Sequence, residues 1–399
     1  MRPVRVLVHL NNLTLGGAQL NAVDIARTLR DRGHDPVLFA QGVAGDAPLV
    51  GVAAGHGLDV VVAGDPDTPH REVRRRLEEL ADRHGSELVH AWEVRAARNG
   101  YFGPGRLGRI PVVTTFYGIR MLRGMPRHQP LVLGLGALMG DGRAFGHRDV
   151  RLVEPPVNTA TDAPGTVDGA AWRRELGIDD EELLLAIVTR LVPDLEKDAG
   201  AELTVDAVRA LDDPRVRLAV VGAGPSLQRL RERAAETNAA LGREAVLVPG
   251  QLADPRPAYD AADIVLGMGG SALRGLAFAK PVVVHGAAGY TALHEPGPLV
   301  EPHASRCMYG YGDGSRDPGP LAEQIRGLLD DPGRRTELGR WGRDWVVGRF
   351  SLDSVASAFE QLYLEVLAAP PGPARWLRDL EQMARYEFTK PTARRLLGR

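Results

Sequence analysis

The chain has 399 residues, of which 44% are hydrophobic and 25% charged, so it suits two globular domains rather than one ordinary core. Its formal net charge of −2 excludes a global field that would attract nucleic acid or an anionic membrane. No apolar run reaches the roughly 18 residues of a membrane span, and a single cysteine, Cys307, excludes an internal disulfide and favours a cytoplasmic location.

The first half of the chain alternates strand and helix patterns. Residues 4–10 form a short run typical of a strand, and residues 18–33 carry apolar side chains at helical spacing. Further strands are predicted over 35–42, 58–64, 86–92 and 110–118, with helices over 47–57 and 70–85. Strands that alternate with helices predict a parallel sheet with helices on both faces.

The same alternation restarts after a proline-containing stretch, residues 152–169. Strands are predicted over 182–191, 216–224, 245–250, 262–270 and 280–286. Helices are predicted over 200–213, 226–242, 271–279, 319–331 and 351–367. A second break at 368–374 precedes a last helix over 375–388 and a basic end.

These breaks predict three parts: an N-terminal Rossmann-like domain (1–157), a second Rossmann-like domain (170–367), and a C-terminal helix with a basic tail (375–399). The last part is predicted to cross back to the first domain, with a basic amphipathic membrane contact as the alternative. The fold class is α/β, with two doubly wound domains facing a cleft where the carboxyl ends of both sheets meet one ligand.

Glycine turns between strands and helices predict anion binding. Gly16 and Gly17 precede the first helix, where close backbone approach and the free N–H groups of a helix N-terminus suit a phosphate. The loop lacks G-x-G-x-x-G and an acid for a dinucleotide ribose, which argues against a nicotinamide site. Gly269, Gly270 and Ser271 repeat the arrangement in the second half. A tight turn without a ligand remains the alternative for the first loop.

A third glycine turn, at Gly222 and Gly224, is equally compatible with tight packing alone. Arg190 and Lys197 follow the first strand of the second half, and their side chains are predicted to converge on one anionic group. The alternative is a solvated pair on a loop. Lysine is rare in this chain, with only three occurrences, which favours a need for its compact charge at position 197.

Metal and nucleophile motifs are weak. Asp65 and Asp67 imitate a metal-holding D-x-D pair, but their proline-rich surroundings favour an ordinary exposed loop, and no metal is predicted. The absence of H-E-x-x-H, C-x-x-C and G-x-S-x-G argues against a zinc protease, a zinc ribbon and an α/β-hydrolase. His90 ends a predicted strand, where a structural histidine and a site histidine are equally compatible with the pattern.

An ordered set of segments spanning about residues 4–367 resembles the GT-B glycosyltransferases, specifically glycosyltransferase family 4. The segments are "GGAQLNAVDIARTLRDRGHDPVLFA", "EPPVNT", "TRLVPDLEKDAG", "VRLAVVGAGPSLQRL" and "YDAADIVLGMGGSALRGLAFAKPVVVHG", and "RFSLDSVASAFEQLYLEVL" is similar to the family's closing helical segment. The resemblance implies transfer of a sugar from a nucleotide-diphosphate sugar, with retention at the anomeric carbon and without a metal or other cofactor. It implies a donor held mainly by the second domain and an acceptor held mainly by the first.

The resemblance also implies roles for residues. Arg190 and Lys197 match the family's catalytic basic pair, Gly17 its N-terminal glycine near the diphosphate, and the 269–271 amides its loop under the donor. Gly250 and Gln251 lie where the family's backbone meets the nucleobase. Gly16, Gly222 and Gly224 are further donor-side candidates. The acceptor is expected near loops 16–17, 90–95 and 117–123, with His90 and Tyr117 as acceptor-side catalytic candidates.

Two positions depart from the family pattern. The family carries two glutamates eight positions apart that hold the donor sugar and the ribose, whereas this chain has Leu266 and Arg274 there. Leucine accepts no hydrogen bond and arginine only donates. Arg274 is therefore predicted to contact a donor phosphate. Tyr117 stands before Gly118 where the family has a histidine before its glycine.

The resemblance and the residues together favour a cytoplasmic, bacterial glycosyltransferase, with an acceptor in specialised metabolism or a cell-surface glycan. A sugar-nucleotide epimerase or hydrolase on the same fold, and a non-catalytic GT-B-like binding partner, are the alternatives. No nucleic-acid partner is expected, and the nucleobase, the sugar, the acceptor and the oligomeric state stay open.

Overall fold

The computed structural model describes residues 2–43, 47–370 and 372–389. It divides into two compact units, one made of Met1–Pro155 with Leu352–Arg399 and the other of Pro156–Ser351. The end of the predicted basic tail, residues 390–399, lies outside the described residues. Among the helices described, none combines the length and the apolar character that a bilayer crossing requires.

A seven-stranded parallel sheet forms the centre of the first unit. Its strands are β1 (Arg5–His9), β2 (Asp35–Ala40), β3 (Val60–Val62), β4 (Leu88–Trp92), β5 (Val112–Phe116), β6 (Leu131–Leu133) and β7 (Val150–Leu152). They lie in the order β3-β2-β1-β4-β5-β6-β7. Successive side chains of a strand point to opposite faces, so Val6 and Val8 join one buried cluster and Leu7 joins the other.

Helices cover both faces of this sheet. They are α1 (Gly17–Asp31), α2 (Pro48–Gly55), α3 (His70–His84), α4 (Glu93–Phe102), α5 (Met139–Ala144), α14 (Leu352–Ala368) and α15 (Pro373–Thr389). Residues of α1, α2 and α14 share the apolar cluster on one face, and residues of α3 and α4 share the cluster on the other. The first unit is thus a doubly wound α/β sheet.

The C-terminal helices differ from the prediction, because α14 belongs to the first unit and the second unit ends at Ser351 instead of residue 367. Phe359 and Tyr363 of α14 are fully buried with the apolar residues of α1. Arg32, just after α1, forms an ion pair with Glu360. In α15, the Trp376 ring stacks on Tyr101 at 5.3 Å between centroids, which anchors that helix to the same unit.

The second unit repeats the design. Its strands are β8 (Leu183–Val188), β9 (Val216–Val221), β10 (Val246–Gly250), β11 (Ile264–Gly267), β12 (Val282–Ala287), β13 (Thr291–Leu293) and β14 (Gly310–Tyr311). The order is β10-β9-β8-β11-β12-β13, with β14 paired to β12. Only β13 runs antiparallel among these described strands. The predicted class, two Rossmann-like α/β domains, is confirmed.

Eight helices surround the second sheet in the described part of the chain. They are α6 (Gly169–Glu175), α7 (Lys197–Leu211), α8 (Leu227–Leu241), α9 (Arg256–Ala261), α10 (Gly270–Ala277), α11 (Val300–Ser305), α12 (Gly319–Leu329) and α13 (Pro332–Phe350). The longest, α13, was not predicted. It packs through Gly339, where an added Cβ would lie 2.0 Å from the Ala279 carbonyl oxygen.

Each sheet has one point at which the chain reverses its direction of winding, between β1 and β4 in the first sheet and between β8 and β11 in the second. The loops that leave two such neighbouring strands diverge to opposite faces and open a crevice at the carboxyl edge. Ligands of doubly wound proteins bind in this crevice. The two crevices are therefore the candidate positions for a ligand-binding site.

Candidate functional site

In the second unit, Ser271 joins the ends of β8 and β11. Its hydroxyl donates a hydrogen bond of 2.7 Å to the Val188 carbonyl and accepts one of 3.0 Å from the Tyr259 hydroxyl. Its backbone N–H donates to the Met268 carbonyl. The hydroxyl and the backbone N–H of Ser271 thus both donate within the protein and hold the two strand ends together, and the predicted contact of Ser271 with the sugar donor stays a prediction.

The glycines before Ser271 leave the start of α10 open. Gly269 has a φ of +58°, a conformation that favours glycine, and its N–H donates to the Met308 carbonyl. The Gly270 N–H has no backbone acceptor among the described residues, and a Cβ at Gly270 would meet nothing within 4 Å. The helix start therefore offers one free amide and a partial positive charge to an anion.

Two cations lie on the neighbouring loop. Lys197 begins α7 and is half-buried, and its pKa is lowered by burial and then by the charge of Arg190. Arg190 has 72% of its side chain exposed and lies 3.9 Å from an Asp194 carboxylate oxygen. Within the described residues, the Lys197 ammonium has no hydrogen bond or ion pair. An anion between the two groups would relieve their repulsion and satisfy the lysine.

The backbone before Lys197 is strained. Leu195 and Glu196 have φ values of +58° and +53°, which non-glycine residues rarely adopt and which cost about 1–3 kcal/mol each. The turn is held from below by buried Asp198, which accepts hydrogen bonds from the Ser226 hydroxyl at 2.7 Å and from Arg229 at 2.9 Å. Backbone strain that the surrounding hydrogen bonds offset is typical of a turn that positions a functional side chain, here Lys197.

Gly222 and Gly224 shape the loop that carries Arg190. A Cβ at Gly222 would lie 1.8 Å from the Thr189 carbonyl oxygen, and one at Gly224 would lie 2.2 Å from that of Leu191. These glycines are required for backbone-to-backbone packing, and their predicted contact with the donor stays a prediction. Their effect on a ligand would act through the position of Arg190.

The predicted nucleobase contacts lie two strands away. Gly250 ends β10 with a φ of +92°, and its carbonyl accepts the Gly222 N–H at 2.9 Å. Gln251 follows it and is exposed. Both lie at the carboxyl edge of the sheet, where their predicted contact with a base stays a prediction.

The two positions that depart from the family pattern are occupied in different ways. Leu266 is completely buried in the apolar core of the second unit. The Arg274 guanidinium is paired with Asp162, at 3.2 Å between Nε and Oδ2. The side chain is 46% exposed beside this pair, and the predicted phosphate contact of Arg274 stays a prediction.

In the first unit, Gly16 and Gly17 form the start of α1. Gly17 is exposed, with open space around a Cβ placed there. The loop before it is ordered by Asn12, whose side-chain oxygen accepts hydrogen bonds from the Thr14 N–H at 3.1 Å and from Gln19 at 3.0 Å. The geometry is compatible with the predicted close approach of a ligand to Gly17.

The structure contradicts the acceptor-side role of His90. The side chain is buried, with its ring nitrogens 2.6 Å from the Tyr363 hydroxyl and 2.7 Å from the Thr115 hydroxyl. Burial lowers the pKa of His90 to about 3. Tyr363 lies on α14, so the sequence around His90 carries no sign of the contact. His90 is a structural residue of the core.

Tyr117 is half-buried, with its ring packed edge-on against Trp92 at 5.2 Å between centroids. Its hydroxyl lies 3.5 Å from the Glu154 carbonyl oxygen, and its backbone N–H donates to the Glu93 carboxylate at 3.1 Å. Tyr117 thus contacts Glu93 at the crevice through its backbone, and the predicted catalytic role of its hydroxyl stays a prediction.

A cavity of about 480 Å³ lies at the winding reversal of the first sheet. Asn11 follows β1, and Glu93 follows β4 with a φ of +73°. Arginines from α3 and α4 complete the lining. Sequence reasoning missed them, although Arg95 and Arg98 at i and i+3 just after a buried strand were a signal that could have found them.

The D-x-D pair forms a turn. The Asp65 carboxylate accepts hydrogen bonds from the Asp67 N–H at 3.0 Å and from the Thr68 hydroxyl at 3.2 Å. In the part of the chain that the structure describes, no group of three histidine, cysteine or acidic residues is placed to hold a metal ion.

Comparison with known proteins identifies the family. Residues 183–331 match the family model for Glycosyl transferases group 1, and residues 15–136 match the model for Glycosyltransferase Family 4. Each model falls within one structural unit, and together they cover more than half of the chain. The chain belongs to the glycosyltransferases that these two models describe. No curated protein sequence matches this glycosyltransferase.

Solved structures share the fold of this glycosyltransferase. A glycosyltransferase from Rickettsia africae superimposes with a TM-score of 0.74 at 15% identity, covering 92% of this chain and all of that one. Anabaena Alr3699/HepE in complex with UDP gives 0.70 at 18% identity, covering 91% and 100%. The catalytic domain of Arabidopsis thaliana starch synthase IV, bound to ADP and acarbose, gives 0.63 at 12% identity, covering 92% and 100%. These similarities establish the GT-B fold.

Proposed function

We propose that this glycosyltransferase transfers a sugar from a nucleotide-diphosphate sugar to a small-molecule or glycan acceptor, with retention at the anomeric carbon and without a metal. The observation that carries the proposal is the half-buried Lys197, which has no partner among the described residues and faces the charge of Arg190 at the winding reversal of the second sheet.

The chemistry requires such a group. As the bond to the sugar breaks, the diphosphate leaving group gains negative charge, and cations fixed in advance stabilise this state more than the bound substrate. Arg190, Lys197 and the Gly270 N–H supply two charges and one amide beside the same crevice. Each charge-assisted hydrogen bond contributes about 1.5–3 kcal/mol.

Known complexes support the donor class. The structure of Alr3699/HepE has been solved with UDP, with UDP and glucose, and with UDP-glucose, and starch synthase IV has been solved with ADP. This chain shares their fold, and the charges of Arg190 and Lys197 are complementary to a nucleoside diphosphate. Since one neighbour holds uridine and the other adenosine, the proposal leaves the base to experiment.

The proposal is tested by incubating the purified protein with UDP-, ADP- and GDP-sugars and measuring release of the nucleoside diphosphate. The anomeric configuration of the product, read by NMR, tests retention, and an EDTA-treated sample tests metal independence. Release that depends on an acceptor supports transfer. Conversion of the donor sugar without an acceptor would point to the epimerase or hydrolase, and binding without turnover would point to a non-catalytic partner.

A further inference from the structure

The cavity of the first unit holds cations that the donor chemistry does not use. Arg74 comes from α3, and Arg95 and Arg98 come from α4, so two helices direct three guanidinium groups to one cavity. His70, at the start of α3, adds a titratable imidazole to the lining. In a chain with a net charge of −2, this concentration is a local feature.

The charges in the cavity repel one another. The pKa of Arg74 is lowered by burial and then by the charge of Arg98. The pKa of His70 is lowered by partial burial and then by the charges of Arg74 and Arg95. Like charges held close together favour the binding of an anion, which converts their repulsion into attraction.

Among the described residues that line this cavity, Glu93 is the one acid beside three arginines. Its carboxylate is half-buried and accepts the Tyr117 N–H. Burial raises the pKa of Glu93, with this hydrogen bond acting in the opposite direction. The lining residues therefore include more basic than acidic groups, with one carboxylate at the wall.

Arg74 also has an unmet hydrogen bond. Its Nε is buried and has no partner among the described residues, although a buried donor is normally satisfied. The guanidinium lies over the Phe102 ring, 4.7 Å from the centroid, so the side chain is held in place rather than free to turn to solvent. The ring contact therefore holds the guanidinium of Arg74 in one position at the wall of the cavity.

We propose that this cavity binds the phosphate group of the acceptor, so that the acceptor is a small phosphate monoester such as a sugar or polyol phosphate. This inference rests on the proposed glycosyl transfer. A phosphate monoester carries about −1.5 to −2 charges and three acceptor oxygens at neutral pH. That number matches three arginine forks better than a carboxylate with one charge does.

The rest of the cavity fits the body of such a molecule. A volume of about 480 Å³ lies within the range of small-molecule sites, about 300–1,000 Å³. Val94 and Leu122 give it an apolar wall. The Asn11 amide and the Glu93 carboxylate offer hydrogen-bond partners for the hydroxyl groups of the acceptor.

The first experiment measures binding to the full chain by calorimetry, without any turnover. Glucose 6-phosphate is compared with glucose, with glucuronate and with inorganic phosphate, each with and without a saturating nucleoside diphosphate. We expect glucose 6-phosphate to bind at least tenfold more tightly than glucose or glucuronate, and to bind equally well when the nucleotide is present. Equal binding of glucuronate, or competition with the nucleotide, would overturn the assignment.

Variants separate this site from general charge effects. Arg74→Gln and the exposed Arg95→Gln are each expected to weaken glucose 6-phosphate binding at least tenfold and to leave nucleotide affinity unchanged. Arg83→Gln, on the exposed end of α3, is the matched control and should change neither affinity. If Arg83→Gln and Arg95→Gln weaken binding equally, no specific phosphate site exists.

The same measurements distinguish the two proposals. Phosphate binding that depends on Arg95, in a protein that binds no nucleotide, would refute the donor proposal and retain an anion site. Nucleotide binding that depends on Lys197, in a protein whose phosphate affinity is unaffected by Arg95→Gln, would refute the phosphorylated acceptor alone. Circular dichroism on each variant confirms that it is folded.

Discussion

The carboxyl edges of the two sheets carry different cations on the same frame. In the second unit, one loop supplies Arg190 and Lys197 beside the open start of α10. In the first unit, two helices supply Arg74, Arg95 and Arg98 around a cavity. The sheets wind alike, so the difference comes from the segments that follow the strands. A fold provides the position of a site, and the side chains at that position decide its chemistry.

The largest expected effect is a loss of catalytic activity at the carboxyl edge of the second sheet. Lys197→Gln should lower kcat at least about 100-fold, because a preorganised charge that meets a developing anion contributes on that order. The measurement is the initial rate of nucleoside diphosphate release at saturating donor.

Arg209→Gln is the matched control, since Arg209 is exposed near the other end of the same helix. Its rate should equal that of the wild type. A Lys197→Gln protein with normal kcat would remove the lysine from the catalytic machinery.

The next largest effect is on stability, and it tests the backbone packing of Gly222 at the carboxyl edge of the second sheet. Gly222→Ala places a Cβ 1.8 Å from the Thr189 carbonyl oxygen, so the backbone must shift and the free energy of unfolding should fall by more than about 2 kcal/mol. Gly140→Ala, in open space on α5, should be neutral or slightly stabilising. Urea unfolding measures both, and equal stabilities would show that the close approach is not required.

A pair of exchanges sharpens the comparison between lysine and arginine. Lys197→Arg and Arg95→Lys each keep the charge but change its shape. We expect each to weaken its own ligand about fivefold, the nucleotide for the first and glucose 6-phosphate for the second, because a point charge and a planar fork are not interchangeable. If neither exchange changes the affinity for its ligand, net charge alone explains ligand binding at the two carboxyl edges.

The smallest effect on activity is expected at His90. Tyr363→Phe removes the 2.6 Å hydrogen bond to His90 and should lower stability by about 1–3 kcal/mol, with initial rates at low temperature unchanged. If a folded Tyr363→Phe variant lost activity, the conclusion that His90 has only a structural role would be wrong.

Stability should also depend on pH through this residue. Burial lowers the pKa of His90 from 6.5 to about 3, so the unfolded chain binds the proton first. The contribution is complete above pH 6.5 and is lost progressively as the pH falls toward 3. Unfolding in urea at pH 7 and pH 5 should show the summed loss from His90 and from the other histidines whose pKa burial lowers in the same way, which are His9, His147, His285, His294 and His303.

Much of the frame was readable from local patterns, because short apolar strands alternate with amphipathic helices in both halves. The loop with Lys197 and the start of α10 were identified as well. By contrast, α13 was missed because its contact face includes Gly339, which gives no apolar periodicity. The apolar positions of α14 predicted a helix but could not reveal which unit it packs on.

The roles of the site residues were harder to predict, because they too depend on contacts between distant segments. Ser271 and His90 are the right residue types at strand ends, yet their partners, Val188 and Tyr363, are distant in sequence. The arginines of the first cavity belong to different helices, α3 and α4, so only the folded chain brings them together. Patterns identify local structure, whereas a site depends on contacts between segments.

The most direct test of the leaving-group site measures affinity by calorimetry for the wild type and for Lys197→Gln. The ligands compared are a nucleoside diphosphate, the corresponding monophosphate and the nucleoside. The wild type should bind the diphosphate at least tenfold more tightly than the monophosphate. Lys197→Gln should lose that preference while its affinity for the nucleoside stays the same. A diphosphate preference that survives in Lys197→Gln would contradict the claim that this edge of the second sheet holds the leaving group.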